Sequence, residues 1–346
     1  MKKGLLSLLA CIALITHAAP YKVIGRYDRH PDGRISVLLL DGTPSGLEFE
    51  VAVSGGRFTI AGDIPHPMRM IIDTGIGQEI WIEPGEQEVV IAGNRLTVSG
   101  SKTNEEAMAF GASLEGKTRE EITDRRREFV EQHPASYYSP EALRFLIYNE
   151  ELPMAENLRL YNRLDEQVRL SAEGRDCKRT LDKQLLTVPG SPAPPFSAPE
   201  GSPDKDRTSV VSNATFEGKV VLMDFWAHWC VPCRQGIPVW KQFYREHKDE
   251  GFDLLFVNFD MRMDSVAWQQ AIREEQIEPW HQVNSIASWN PQQQDALDIY
   301  ANYFVQRIPR YVLIDRRGIV RGTWTGASRN NYEEIKALAV QLLGEE

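Results

Sequence analysis

Val220-Val221-Leu222-Met223-Asp224-Phe225-Trp226-Ala227-His228-Trp229-Cys230-Val231-Pro232-Cys233 is the stretch on which the fold turns. Its first half is an almost unbroken apolar run, the mark of a central strand buried on both faces. Its second half brings two cysteines, three positions apart, to the place where a helix should open, running from about Cys230 to His247. A thiol at a helix N-terminus meets unpaired N–H groups and the positive end of the helix dipole. Both favour the thiolate, which is the nucleophile. The second cysteine lies one turn on, within disulfide-forming distance. Cys230 is expected to be the exposed attacking thiol and Cys233 the shielded one that resolves a mixed disulfide.

A Cys-x-x-Cys pair can also be half of a zinc site, which needs two further ligands at suitable spacing. No second such pair exists, and Cys177 stands alone. Redox work is therefore the expectation, with no metal and no cofactor.

The segments after this stretch repeat an α/β pattern. Phe252–Phe259 reads as a second central strand and Val266–Glu275 as a helix. Tyr311–Asp315 and Ile319–Gly322 read as two further strands, and Tyr332–Leu343 as a terminal amphipathic helix. Alternating strands and helices followed by a hairpin imply a mixed sheet with helices on its faces.

Upstream the texture differs. Tyr21 to about Gly100 shows short apolar runs between Gly, Asn and Asp turn signals, which suggests an antiparallel sandwich or barrel. From Thr103 to Leu186 glycine is scarce and apolar residues recur every three or four positions, as in Ala142, Leu143, Leu146 and Ile147. That spacing predicts helices, with breaks at Pro134 and Pro153. The expected division is a β-rich domain over 20–102, a helical segment over 103–186, and a Pro- and Ser-rich linker or domain edge over 187–204. The α/β domain covers 189–346.

The first residues read as a secretory signal over 1–19: Lys2 and Lys3, an apolar run from Leu5 to Ile15, then small residues before Pro20. Leu8-Leu9-Ala10-Cys11 has some lipobox character, but the apolar run continues past Cys11, so an anchor there is the weaker expectation. Export to the periplasm or cell envelope follows. A net charge of -10 without a basic patch argues against nucleic-acid partners.

The stretch Asp224–Cys233 resembles the active-site segment of thioredoxin-fold proteins, and among them the exported thiol–disulfide oxidoreductases of the TlpA and ResA type. Pro238 falls where that family's active-site helix kinks. Ile308-Pro309 matches its cis-proline loop, and Glu278 to Phe304 resembles its characteristic insert. The front half is similar to a small β-rich domain that precedes such domains in Bacteroidetes-type bacteria, through Ile82-Glu83-Pro84-Gly85 and Ser99-Gly100-Ser101.

The resemblance implies roles. Asp224 sits where a buried carboxylate could take the proton of Cys233. A cis Pro309 would face the disulfide and leave the Ile308 backbone to pair with an extended substrate. Trp229 would shield the cysteines and offer an apolar docking surface, whereas Trp226 is plain packing and His228 a solvated side chain. Partners would be protein thiols and disulfides, with electrons from a membrane thiol carrier. With Val231-Pro232 and no histidine between the cysteines, a reductant or mid-potential exchanger is expected, and the resemblance points towards service in cytochrome c maturation. Cys177 lies outside every motif and is expected to be a free thiol. A thiol peroxidase is the alternative enzyme, but it needs a Pro-x-x-x-Thr-x-x-Cys setting that the chain lacks. A non-catalytic envelope binding protein is the alternative outside catalysis, against which the intact Cys230, Cys233, Asp224 and Pro309 argue.

Overall fold

The computed structural model describes residues 18–28, 32–43, 45–73, 77–206, 208–259, 265–284 and 299–345. The expected secretory segment, Cys11 included, and the middle of the expected insert lie outside them. The chain forms two compact units. One takes the residues up to 144 with 159–178; the other takes 145–158 with 179–346.

In the first unit, alternating inward and outward residues build β1 (Ala19–Tyr27), β2 (Asp32–Leu40), β3 (Leu47–Ser54), β4 (Arg57–Ile64), β5 (Met68–Asp73), β6 (Gly77–Ile82), β7 (Gly85–Ala92) and β8 (Arg95–Ser99). They form one eight-stranded sheet in the order β6-β5-β2-β3-β4-β1-β7-β8. Inward residues from seven of these strands, such as Val23, Val37, Val53, Ile60, Met70, Ile80 and Val89, share a single core. A sheet that gathers one face onto itself in this way is close to a barrel. The sheet departs from the antiparallel expectation at one place, where β1 and β7 run parallel.

The helices follow: α1 (Lys102–Ser113), α2 (Arg119–Gln132), α3 (Ser139–Tyr148), α4 (Met154–Arg163), α5 (Glu166–Arg169) and α6 (Ala172–Leu185). Their ends are locally encoded. The Ser101 side chain caps the Asn104 N–H, and the Glu83 carboxylate accepts from the N–H groups of Lys102 at 2.7 Å and Thr103 at 2.9 Å. Negative charge at a helix start is favourable. Thr118 and Glu121 form a reciprocal capping box for α2.

The second unit is built around β11 (Val220–Trp226), in which every residue is buried. Two short strands precede it, β9 (Ser197–Pro199) and β10 (Val210–Ser212), which pair with each other. After β11 come α7 (Val231–His247), β12 (Phe252–Asn258), α8 (Ser265–Glu275), β13 (His281–Asn284), α9 (Ile299–Asn302), β14 (Arg310–Ile314), β15 (Val320–Thr325) and α10 (Arg329–Leu343). The sheet order is β13-β12-β11-β14-β15. β13, β12 and β11 are parallel, β14 runs antiparallel to β11, and β15 runs antiparallel to β14 and so in the direction of the first three.

Alternation along β11 splits the core in two. Val220, Leu222 and Trp226 pack with α7 and α10, together with Ile237, Trp240 and Leu342. Val221, Met223 and Phe225 pack on the opposite face with Phe196, Phe216 and Tyr303. The Pro-rich stretch before β9 does not hang free. Gly190 donates to the Val320 carbonyl at 2.8 Å and Ala193 to Gly318 at 2.8 Å, so this stretch borders β15. β13 lies inside the expected insert. Its outer edge is met by the Glu200 carboxylate, which accepts from the Gln282 N–H at 3.0 Å and contacts His281 at 2.6 Å.

Candidate active site

Strand β11 delivers the chain to the site, and Ala227–Trp229 carries it over the sheet end. Cys230 then becomes the N-cap of α7, its N–H bonded to the Ala227 carbonyl at 3.0 Å. Pro232 stands in the first turn, where its missing N–H costs nothing. Helix α7 continues through Pro238, so that residue does not end it. The two cysteines form a disulfide, with Cα atoms 5.3 Å apart. Cys230 Sγ also accepts from the Cys233 backbone N–H at 3.3 Å. No acidic residue occupies the first turn of α7. The reacting sulfur is therefore held by helix N–H groups and the positive dipole end, which stabilises a thiolate once the bond opens.

Exposure around the pair is uneven. Cys233 is fully buried, and Cys230 retains only 5% of its surface. The expectation of an exposed Cys230 is thus corrected in degree. Its sulfur sits in the capping position, folded back over the first turn. The exposed apolar surface instead belongs to its neighbours Trp229 and Val231, at 54% and 64%. Trp226 is fully buried, and His228 is partly buried, less solvated than expected.

Asp224 lies between Leu222 and Trp226 on the face of β11 covered by α7, the same core that contains Cys230 and Cys233. It is fully buried, and neither carboxylate oxygen has a hydrogen-bond partner among the described residues. Burial without compensation pushes this carboxyl well above the usual carboxylate range. Tyr311, on β14, is its direct cross-strand neighbour. Burial and the Asp224 charge both raise the Tyr311 hydroxyl. Above them, α7 passes at Gly236. A Cβ there would lie 2.8 Å from the hydroxyls of both Tyr311 and Tyr332.

The Ile308–Pro309 peptide bond is cis and leads directly into β14. Ile308 packs against both cores, including the one that holds Cys230 and Cys233. The Pro309 carbonyl accepts from Gly326 at 2.8 Å. Cys230, Cys233, Asp224 and Ile308 therefore meet around one core, with Trp229 on its surface.

Tyr311, Tyr332 and Glu150 were not singled out from the sequence. Tyr311 carried a usable signal: once β14 is paired antiparallel with β11, alternation puts it on the face of Asp224. Glu150 carried none. Cys177 is a buried free thiol in α6. Among the described residues no group of three or more His, Cys, Asp or Glu side chains is placed to hold a metal ion.

The model of the Redoxin family matches residues 188–340. The C-terminal half of this chain is a redoxin-type, thioredoxin-like thiol–disulfide oxidoreductase domain. It is similar to thiol-disulfide oxidoreductase ResA of Oceanobacillus iheyensis, 37% identical over 79 residues that cover 23% of this chain and 40% of the relative. It is also similar to thioredoxin-like protein YneN of Bacillus subtilis, 29% identical over 154 residues, 44% of this chain and 81% of the relative. Among solved structures, the thioredoxin domain of a thiol-disulfide oxidoreductase from Bacteroides vulgatus is 26% identical. That match has a TM-score of 0.36 and covers 44% of this chain and 98% of that one. This redoxin domain is preceded by the β domain and helices, which lie outside the matched residues.

Proposed function

We propose that the protein is an exported enzyme that exchanges electrons with disulfides of other proteins in the cell envelope, acting as a reductant. The observation that supports this most is the Cys230–Cys233 disulfide at the mouth of α7 with the unpartnered Asp224 carboxyl in the same core. In the reduced enzyme the Cys230 thiolate attacks one sulfur of a substrate disulfide. A mixed disulfide forms, and the other substrate sulfur departs and takes a proton. The Cys233 thiol gives its proton to Asp224, and its thiolate attacks Cys230 Sγ. The Cys230–Cys233 bond forms, the remaining substrate sulfur leaves as a thiolate that takes a proton from solvent, and Asp224 releases the proton it took from Cys233. Two electrons pass from the enzyme dithiol to the substrate, and an external dithiol, for which a membrane thiol carrier is suited, restores them.

Trp229 and Val231 supply apolar surface for docking, and the Ile308 backbone aligns an extended substrate segment, as an added strand does. Export rests on the segment 1–19, with its Lys2-Lys3 start and apolar run.

Trapping tests this. A Cys233→Ala variant cannot resolve, so envelope proteins should accumulate on Cys230 as dithiothreitol-sensitive adducts that mass spectrometry names. If the Cys233→Ala variant captures no more protein than a Cys230→Ala/Cys233→Ala control, the proposed exchange is wrong.

A further inference from the structure

We propose that Glu150 is a positioning residue for the substrate-binding loop, pinning the loop Arg307–Arg310 so that a peptide lies in reach of Cys230. The inference rests on the exchange reaction proposed above, because it concerns how that site holds its substrate.

Three consecutive residues at the end of α3 meet three positions of the loop and its approach, all within the second unit. The Tyr148 ring stacks on Phe304 with centroids 6.3 Å apart. The Asn149 carbonyl accepts from Arg307 Nη2 at 2.7 Å. The Glu150 carboxylate pairs with Arg310 Nη1 and accepts from Thr325 Oγ1 at 2.7 Å. Thr325 also accepts from Arg310 at 2.9 Å, which closes a three-membered cluster with the cross-strand pair Arg310 and Thr325. Both flanks of Ile308–Pro309 are thus tied to adjacent residues of one turn.

Arg310 is 4% exposed, so its charge is tolerable only with a partner. Removing the carboxylate would leave a buried guanidinium, and the end of the loop at Arg310 would have to rearrange to reach water.

The backbone at Glu150 supports the assignment independently. The Glu150 N–H bonds to the Ile147 carbonyl and the Glu151 N–H to that of Leu146, so α3 ends in a Schellman cap. Its left-handed position is normally glycine, yet Glu150 holds φ 53° there. A side chain is kept at a place that disfavours one, and what that side chain does is hold Arg310 and Thr325.

The test uses the reduced full-length chain and two oxidised probes. One is a disulfide-bonded decapeptide, which has backbone to lay along the loop. The other is hydroxyethyl disulfide, which has none. Glu150→Gln should lower the second-order rate constant for the decapeptide about tenfold. The rate with hydroxyethyl disulfide and the reduction potential of the Cys230–Cys233 pair should stay within about twofold of wild type. If Glu150→Gln does not fold, Thr325→Val decides, since it removes one hydroxyl and keeps the ion pair; a threefold or greater loss with the decapeptide alone is expected. Equal losses with both probes, or no loss with either, would overturn the positioning role. A wild-type protein that reduces hydroxyethyl disulfide but not the decapeptide would instead overturn the proposed action on polypeptides.

Discussion

Asp224 and Tyr311 stand directly opposite each other on β11 and β14, on the sheet face that α7 covers. Neither the carboxylate oxygens nor the tyrosine hydroxyl is hydrogen-bonded in an ordinary geometry among the described residues. A buried polar group without a partner costs free energy. The fold retains two of them in the core that contains the cysteine pair.

From this follows a prediction for Asp224→Asn. If Asp224 takes the proton of Cys233, the resolving step should slow about 100-fold, within the range of general base catalysis. The first attack by Cys230 on a small disulfide should change far less. Stability should move the other way. The Asp224 carboxyl is raised by burial. A raised carboxyl stabilises the fold fully below its unfolded pKa and loses that contribution as pH climbs through the folded one. Asparagine has no such loss, so the variant should gain on wild type as pH rises from 4 to 9. Thermal melts across that range check it, and a constant difference would show that the Asp224 carboxyl is not raised in the fold.

The thiols should separate by reactivity. Cys177 is fully buried, and burial pushes its thiol up, away from the nucleophilic form. Cys233 is also fully buried, whereas Cys230 keeps an edge of surface at a helix N-terminus. In the reduced native protein, iodoacetamide should label Cys230 first, and Cys177 and Cys233 should follow only on unfolding. Peptide mass spectrometry over a time course checks the order. Labelling of Cys177 at the rate of Cys230 would contradict the burial argument.

The redox site was legible because its parts are local. An all-buried strand, a Cys-x-x-Cys pair and a helix start lie within fourteen residues, and each constrains the next. Asp224 could be placed because alternation along one strand decides which face it occupies. Strands β5 and β8 were harder. In Met68–Asp73 the apolar run is only Met70-Ile71-Ile72 and Arg95–Ser99 has none, so pairing with β2 and β7 fixes them. β13 escaped for a similar reason, since four residues carry too little pattern to mark a strand. Glu150 lies 160 positions from Arg310, and nothing in either local sequence announces the pair. Long-range ion pairs are set by topology, which periodicity does not encode.

In the first unit, Glu173 should make stability depend on pH. It is 3% exposed, and burial raises its carboxyl from 4.5 to about 7, against the opposing charge of Arg69. The sign follows as for any raised carboxyl: the contribution is whole below pH 4.5 and disappears as pH passes 7. Glu173→Gln should therefore gain on wild type between those limits, by as much as about 3 kcal/mol at pH 8. Urea melts at pH 4.5 and pH 8 check this. The same difference at both would mean that the residue acts through packing rather than charge.

Gly236 puts two opposing effects in one substitution. Alanine in a helix interior is favoured over glycine by about 1 kcal/mol. Here the new methyl would come within 2.8 Å of the Tyr311 and Tyr332 hydroxyls. Tyr311 is fully buried, and its ring packs edge-on against Trp240 with centroids 5.2 Å apart, so it has little room to withdraw. Overpacking of this kind costs about 1–3 kcal/mol. The clash should win, and Gly236→Ala should destabilise the fold by about 1 kcal/mol or more. Removing one hydroxyl relieves only one contact. Tyr311→Phe and Tyr332→Phe should therefore each recover part of the loss, and both together should recover most of it. A double-mutant cycle by chemical denaturation reads these couplings. Additive effects in both pairs would mean that α7 does not approach the tyrosines as closely as the packing of Gly236 implies.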